Sequence, residues 1–385
     1  MTKIIAIKNA QLVLERGIIW DGVIIIENGR IKEFGTFRDI IIPENAETID
    51  ADGAYVGPGF VDIHVHAGGG YSTYENPVKA AEFFLSHGET TIFATPGYSE
   101  NTKELVEAMH SVREGMKKTK VIKGIYCEGP YMNPDYGASA FNNPWRHGVH
   151  EEDYKQFVDA AGDAVKVWAI APEVPNLMPF LEYARKVNPD VIFALGHTEA
   201  TPAEIRALGT NYIPTIMTHC MNATGRKPRY GGTRDFGPDE YCFKETDMYA
   251  EMISDSCGIH VHPEMQQLLI HAKGIDKVIL ITDSTVHDDP TPPEFAHVKD
   301  LNFDAQGGIS GSKMTMDQAC KNVMKSTNCG IAQAFLMAST NPAKAIRMYD
   351  KIGSIDIDKN ADLVFVDDKF NIKKVMLEGE IVCGK

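Results

Sequence analysis

The chain has 385 residues, 43% hydrophobic and 24% charged, the balance of a soluble globular protein. A net charge of −15 argues against nucleic acid or an anionic membrane as the main partner, and no apolar run reaches the about 18 residues of a membrane span. Seven cysteines without a Cys-x-x-Cys pair, and an N-terminus without a signal-peptide pattern, point to reduced thiols in a cytoplasmic protein.

The first 57 residues read as β-rich. Ile4-Ile5-Ala6-Ile7 leads to Gln11-Leu12-Val13-Leu14, and Gly22-Val23-Ile24-Ile25-Ile26 meets Glu27-Asn28-Gly29-Arg30. Asn-Gly between apolar runs is a hairpin signal. Thr48-Ile49-Asp50-Ala51-Asp52-Gly53 adds a strand and a turn. At the other end, Ala361-Asp362-Leu363-Val364-Phe365-Val366 and the run from Val375 to Val382 are again strands around a turn. The two ends are predicted to pair into one small β-sandwich.

Between them lie eight strand-like runs, at 59–66, 90–95, 121–128, 165–171, 191–197, 213–219, 249–254 and 277–283. Most are rich in Val, Ile, Leu or Ala without long polar alternation, as parallel strands covered by helices are. Helical patterns at 77–85, 102–118, 177–187, 202–208 and 263–272 separate many of them, and two more at 315–325 and 331–338 follow the last strand. Strands alternating with helices over roughly 230 residues are the signature of a (β/α)8 TIM-like barrel in the α/β class. The expected organisation is a barrel at 58–350 flanked by the two halves of the β-sandwich, at 1–57 and 351–385. Residues 222–247 read as one long loop, a feature that is usually functional in a compact domain.

A barrel of this kind carries its site at the C-terminal ends of its strands. There the first strand brings His64 and His66, alternating to one face with Asp62. The third ends in Glu128, the fifth in His197, the sixth in His219 and the eighth in Asp283, while His260 follows the seventh. Four histidines and two carboxylates suit a borderline divalent metal, zinc or iron, with open positions for water and substrate. Such a site lowers the pKa of bound water to about 7. Asp283 beside that water is placed to act as general base and then to pass the proton to a leaving group. The residues alone therefore suggest metal-assisted hydrolysis of an amide-like bond. Cys127, Cys220 and Cys257 near the same rim read as buried thiols.

The chain resembles the amidohydrolase superfamily and, within it, the N-acetylglucosamine-6-phosphate deacetylase family. The resemblance runs nearly end to end. It is carried by the segment from Pro58 to His66, by Glu128-Gly129-Pro130, Gly196-His197-Thr198, Thr218-His219-Cys220-Met221-Asn222-Ala223, His260-Val261-His262-Pro263, Thr282-Asp283 and Gly308-Ile309-Ser310-Gly311-Ser312. Many amidohydrolases bridge two metals with a carboxylated lysine. This family uses the glutamate of Glu-Gly-Pro instead, and Glu128 stands there.

The resemblance implies hydrolysis of the N-acetyl group of N-acetylglucosamine 6-phosphate, with a different N-acyl hexosamine, phosphorylated or not, as the alternative. A non-catalytic scaffold is a further alternative, although no ligand position is lost. It implies one or two divalent ions. Glu128, His197 and His219 would hold the main one, and His64 and His66, with Asp283 completing the site, would allow a second. Asp283 would be the acid/base, and His260 would hold the sugar or polarise the acetyl carbonyl. Asn222, Ala223 and Arg226 would meet the phosphate, with the arginine reaching across from the neighbouring subunit of a homodimer. Ile309 and Ser310 would line the sugar site. Gly137-Ala138-Ser139 stands where the family usually has Gly-x-His or Gly-x-Gln touching substrate, which makes Ser139 the candidate there. Thr224 replaces a usual Met, and the stretch 227–247 is longer than the family pattern, with Arg229 and Arg234 in it.

Overall fold

The computed structural model describes residues 3–97, 100–137, 143–146, 148–225, 231–232, 235–286 and 291–384. Its centre is a sheet of eight parallel strands in sequential order: Phe60–Val65, Glu89–Ala94, Ile122–Glu128, Val165–Ile170, Ile192–Leu195, Ile216–Met217, Tyr249–Ile253 and Val278–Ile281. They are nearly all buried because helices cover their outer face, and this is why the runs read as continuously apolar. These are the eight strands expected from the sequence, the second shifted by one residue to Glu89–Ala94 and the others trimmed by up to a few residues at their ends. The sixth shrinks to two residues and hands the chain early to the site.

The first and last strands close the ring through polar groups. Asp62, fully buried, accepts the hydroxyl hydrogen of Thr282 at 2.5 Å. One step further, the Asp283 N–H donates to the His64 carbonyl at 3.1 Å, and the His66 N–H to the Ser284 carbonyl at 2.9 Å. This seam brings the two ends of the sheet, and the site residues on them, to one rim.

Both chain ends build a second sheet. Ile4–Leu14 pairs with Gly17–Glu27, Glu47–Asp50 and Tyr55–Pro58, and the C-terminal strands Leu363–Val366, Ile372–Leu377 and Glu380–Gly384 continue from the last of these. Ile24 and Ile26 face one apolar cluster while Val23 and Ile25 face another, so both sides of the strand are covered and its sequence shows no polar alternation. Its hairpin to Arg30–Thr36 pairs Glu27 with Arg30. Asn28 (φ 51°) and Gly29 (φ 78°) both take the left-handed backbone that a two-residue turn matching the strand twist demands.

Among the described residues, three α-helices lie where the sequence pattern marks none, the shortest being Asn341–Ala345. Glu151–Ala161 packs with Tyr154, Phe157, Val158 and Ala161 buried, a helical stripe that directly follows an irregular segment. Pro238–Lys244 interrupts the stretch expected to be loop; its Pro and its acidic first turn suit a helix start. No helix among the described residues is long and apolar enough to cross a membrane.

A triangle of phenylalanines joins the barrel floor to the later chain. Phe60 lies 5.4 Å from Phe335 and 5.9 Å from Phe370, ring centre to ring centre, and Phe335 and Phe370 are 5.2 Å apart. All three are buried. Phe60→Ala is therefore expected to lose about 3–5 kcal/mol in a urea unfolding titration, by removing apolar contact and leaving a cavity.

Candidate metal and substrate site

Six side chains from five strand ends converge on the rim. Glu128, at the end of the third strand, stands between two pairs of imidazoles. Its Oε1 is 2.6 Å from His197 Nε2 and 2.9 Å from His219 Nε2. Its Oε2 is 3.1 Å from His66 Nε2 and 3.6 Å from His64 Nε2. Asp283 Oδ1 lies 3.3 Å from His66 Nε2 and 3.9 Å from His64 Nε2. Two groups with ligand atoms close enough to share an ion result, His64–His66–Glu128 and Glu128–His197–His219, with the glutamate common to both.

The hydrogen bonds of the rings show what the site wants. His197 Nδ1 faces the Tyr136 carbonyl and His219 Nδ1 the Asn222 carbonyl, both at 3.1 Å. A carbonyl only accepts, so each Nδ1 carries the hydrogen and each neutral ring keeps a lone pair on Nε2. Those two Nε2 atoms are 3.1 Å apart, and both point at a carboxylate oxygen. Three acceptors facing one another repel unless a cation lies among them. On the other side, the Glu251 carboxylate takes His64 Nδ1 at 3.2 Å. His64 Nε2, fully buried, has no hydrogen-bond partner among the described residues. Imidazole and carboxylate donors of this kind fit zinc and iron alike.

The local field agrees. Burial alone would keep the Glu128 carboxyl protonated, but the imidazoles of His197 and His64 hold it well below the ordinary carboxylate range. Burial likewise disfavours a charged His66, yet Asp283 and Glu128 lift its pKa to about 9. Burial also opposes charge on Asp283, and the hydrogen bond from His66 with the nearby His64 outweighs it, leaving the carboxyl below its usual value. The carboxylates thus attract positive charge to a place where, among the described residues, they pair only with histidines.

Three of these residues sit on left-handed backbone: His197 (φ 45°), His219 (φ 25°) and Asp283 (φ 47°). Such conformations cost about 1–3 kcal/mol each for residues with a side chain, and they persist where the surroundings enforce them. Glu173 is one such enforcer. It accepts from the Thr198 hydroxyl at 2.6 Å and from the Glu199 N–H at 2.8 Å, the two residues after His197.

A cavity of ≈ 290 Å³ opens beside the cluster. His66, Glu128, His197, His219 and Asp283 form its floor. Of the residues expected to meet substrate, Asn222, Ala223, Ile309 and Ser310 line it. His260 is buried at the same end of the barrel, with its N–H and Nδ1 against Asp255 Oδ2 at 2.8 and 3.3 Å, and it is not part of the cavity wall. Ser139, Arg226, Arg229 and Arg234 lie outside the described residues. Cys127 and Cys220 are buried, as expected, whereas Cys257 is exposed. It sits in the turn after Asp255, which accepts the Cys257 N–H at 3.0 Å and leaves the thiol facing out.

Glu251 and Asp62 are polar residues of the site to which the sequence pattern gives no role. Glu251 stands alone in an apolar strand, and its unlikely place there is the signal that marks it. Asp62 shares the face of His64 and His66, and its neighbour across the seam is Thr282.

The amidohydrolase family model matches residues 55–382. Among curated proteins, the chain is 26% identical to N-acetylglucosamine-6-phosphate deacetylase of Bacillus subtilis, covering 99% of this chain and 98% of that protein. It is 25% identical to N-acetylgalactosamine-6-phosphate deacetylase of Escherichia coli O157:H7, covering 96% and 97%. Among solved structures, N-acetylglucosamine-6-phosphate deacetylase from Pasteurella multocida superposes with a TM-score of 0.84 at 24% identity, over 98% of this chain and 99% of that one, a likeness of fold. With its barrel, its flanking sheet and a family match across most of its length, this chain belongs to the amidohydrolase family, whose members are metal-dependent hydrolases.

Proposed function

We propose that the protein is a metal-dependent deacetylase that hydrolyses N-acetylglucosamine 6-phosphate to glucosamine 6-phosphate and acetate. The observation that carries this reading is the Glu128 carboxylate facing one histidine pair with each oxygen, on the floor of a cavity lined by Asn222, Ala223, Ile309 and Ser310. Curated relatives that match over nearly the whole chain act on acetylated amino-sugar phosphates, which supports the substrate class.

His197, His219 and Glu128 would hold one divalent ion, zinc or iron, and His64, His66 and Glu128 a second, with Asp283 completing the site. The chemistry such a metal would supply is polarisation of the acetyl carbonyl and a lowered pKa for bound water. Asp283 takes a proton from the attacking water as its oxygen bonds to the carbonyl carbon. The same carboxyl returns that proton to the sugar nitrogen as the C–N bond breaks, so acetic acid and a neutral amine leave, and the acid then gives its remaining proton to the amine or to solvent to become acetate. His260 supports the sugar, and Ser139 takes the place of the family's substrate-contacting residue. Asn222, Ala223 and Arg226 receive the phosphate, and Ile309 and Ser310 flank the ring. The protein works as a cytoplasmic homodimer, in which Arg226 reaches the neighbouring site.

One competing substrate has direct support: the galactosamine epimer, through the Escherichia coli relative. Acetate release from both 6-phosphates and from the two unphosphorylated sugars tests the assignment. The expected ranking puts N-acetylglucosamine 6-phosphate first. A wild type indifferent to the phosphate would move the protein to another N-acyl substrate.

Elemental analysis of metal-replete protein should find two ions per chain, and Glu128→Ala should retain neither firmly. Asp283→Asn is expected to keep its metal yet lose about 10²–10⁴-fold in kcat, because an amide cannot accept the proton. For the phosphate, Arg226→Ala should remove a charged hydrogen bond worth about 1.5–3 kcal/mol. This corresponds to roughly a ten- to hundred-fold fall in kcat/KM. The fall should be confined to phosphorylated substrate; an equal loss on both forms would assign Arg226 another role.

A further inference from the structure

Glu251 lies in the middle of the seventh barrel strand, Tyr249–Ile253, with no exposed surface. A carboxylate there needs strong partners, because an unpaired buried charge is expensive. Both of its partners belong to the metal cluster. A single oxygen, Oε2, takes His64 Nδ1 at 3.2 Å and the backbone N–H of His219 at 3.1 Å. His64 stands in one of the two ligand groups and His219 in the other. Among the described residues, Glu251 makes its ion pair with His64 and with no lysine or arginine.

The neighbourhood reinforces the contact. The Tyr126 ring packs on the His64 ring with centres 4.7 Å apart, and its hydroxyl pairs with Thr218 Oγ1 at 2.7 Å, on the residue preceding His219. Glu251 thus sits in a packed polar cluster that includes the side chain of one ligand residue and the backbone of another.

The two contacts do different things. A carboxylate on Nδ1 forces the hydrogen there, so that His64 turns its Nε2 lone pair toward Glu128. It also makes that lone pair more basic. The contact with the His219 N–H, by contrast, fixes a backbone already in a left-handed conformation, φ 25°. His197 and His219 owe their own ring orientation to the carbonyls of Tyr136 and Asn222, so they do not need Glu251 for it. His64 does.

We infer that Glu251 is a positioning residue that prepares His64 for metal and ties the two halves of the cluster together, so that it governs the ion on the His64–His66 side. This role rests on the two-ion reading proposed above. It makes the two halves unequal: His197 and His219 are oriented by backbone carbonyls, whereas His64 in the other half is oriented by one carboxylate.

The test uses the whole protein stripped of metal and titrated with zinc against a chromogenic chelator, with elemental analysis for stoichiometry and circular dichroism to confirm folding. Glu251→Gln keeps the shape and an oxygen that can accept both hydrogens, but it removes the charge. Glu251→Ala removes both. The wild type should hold two ions. Losing the partner that orients a ligand histidine typically costs about 10–100-fold in metal affinity. Glu251→Gln should therefore weaken one of the two ions by about that factor and leave the other, and Glu251→Ala should retain a single ion. If the alanine variant does not fold, the glutamine variant decides alone. Equal affinity for both ions in wild type and Glu251→Gln overturns the role while leaving the function standing. A wild type that takes up fewer than two ions overturns the two-ion reading itself, and the role with it.

Discussion

One carboxylate divided between two histidine pairs is the constraint on which the structure turns. Each oxygen of Glu128 faces a pair of imidazole nitrogens, and the Nδ1 contacts of His64, His197 and His219 leave their Nε2 lone pairs aimed inward. Such a set is repulsive by itself and becomes favourable around a cation. The histidines and Glu128 come from the first, third, fifth and sixth strands and Asp283 from just beyond the eighth, so the barrel must close before the set exists. The seam of Asp62 with Thr282, and of His64 and His66 with Asp283 and Ser284, does this at or within a few residues of the clustered side chains themselves. Closure and site assembly are the same event seen at two heights along the strands.

The arrangement is costly to hold. It buries charged and polar groups, and it places His197, His219 and Asp283 on unfavourable backbone. Stability therefore has to come from elsewhere in the molecule. The apolar strands under their helices supply most of it, and the Phe60–Phe335–Phe370 triangle fastens the lower end of the first strand to segments far along the chain. The division follows the strands: packing at their starts, chemistry at their ends.

Much of this was legible in the residues. His64 and His66 announce themselves by alternation on a strand bounded by glycines, and His197, His219 and Asp283 by recurring at the ends of later apolar runs. Asn28-Gly29 specifies its hairpin because few other pairs accept two left-handed residues. What stayed hidden shares a physical cause. Glu251 and Asp62 act largely through partners 32 to 220 residues away, so a polar residue in an apolar strand marks them without saying what they bind. Tyr136 and Asn222 serve through their carbonyls, so their side chains carry no trace of the task. The short helix Pro238–Lys244 was obscured by the glycines, prolines and arginines that precede it.

That helix explains why the chain after the sixth strand travels so far before returning to the barrel. Its Asp239 accepts the Met221 N–H at 2.8 Å and the Thr224 hydroxyl at 2.6 Å. The turn so clamped carries Met221 (φ 67°) and Ala223 (φ 49°), both left-handed and neither a glycine. Without an outside acceptor, those strained residues could relax and swing Asn222 away from the cavity it lines. The Asn222 carbonyl also holds His219 Nδ1, so the same clamp bears on that ring. A single aspartate, delivered by a helix well along the chain, thereby couples the shape of the cavity wall to the orientation of the His219 ring beneath it.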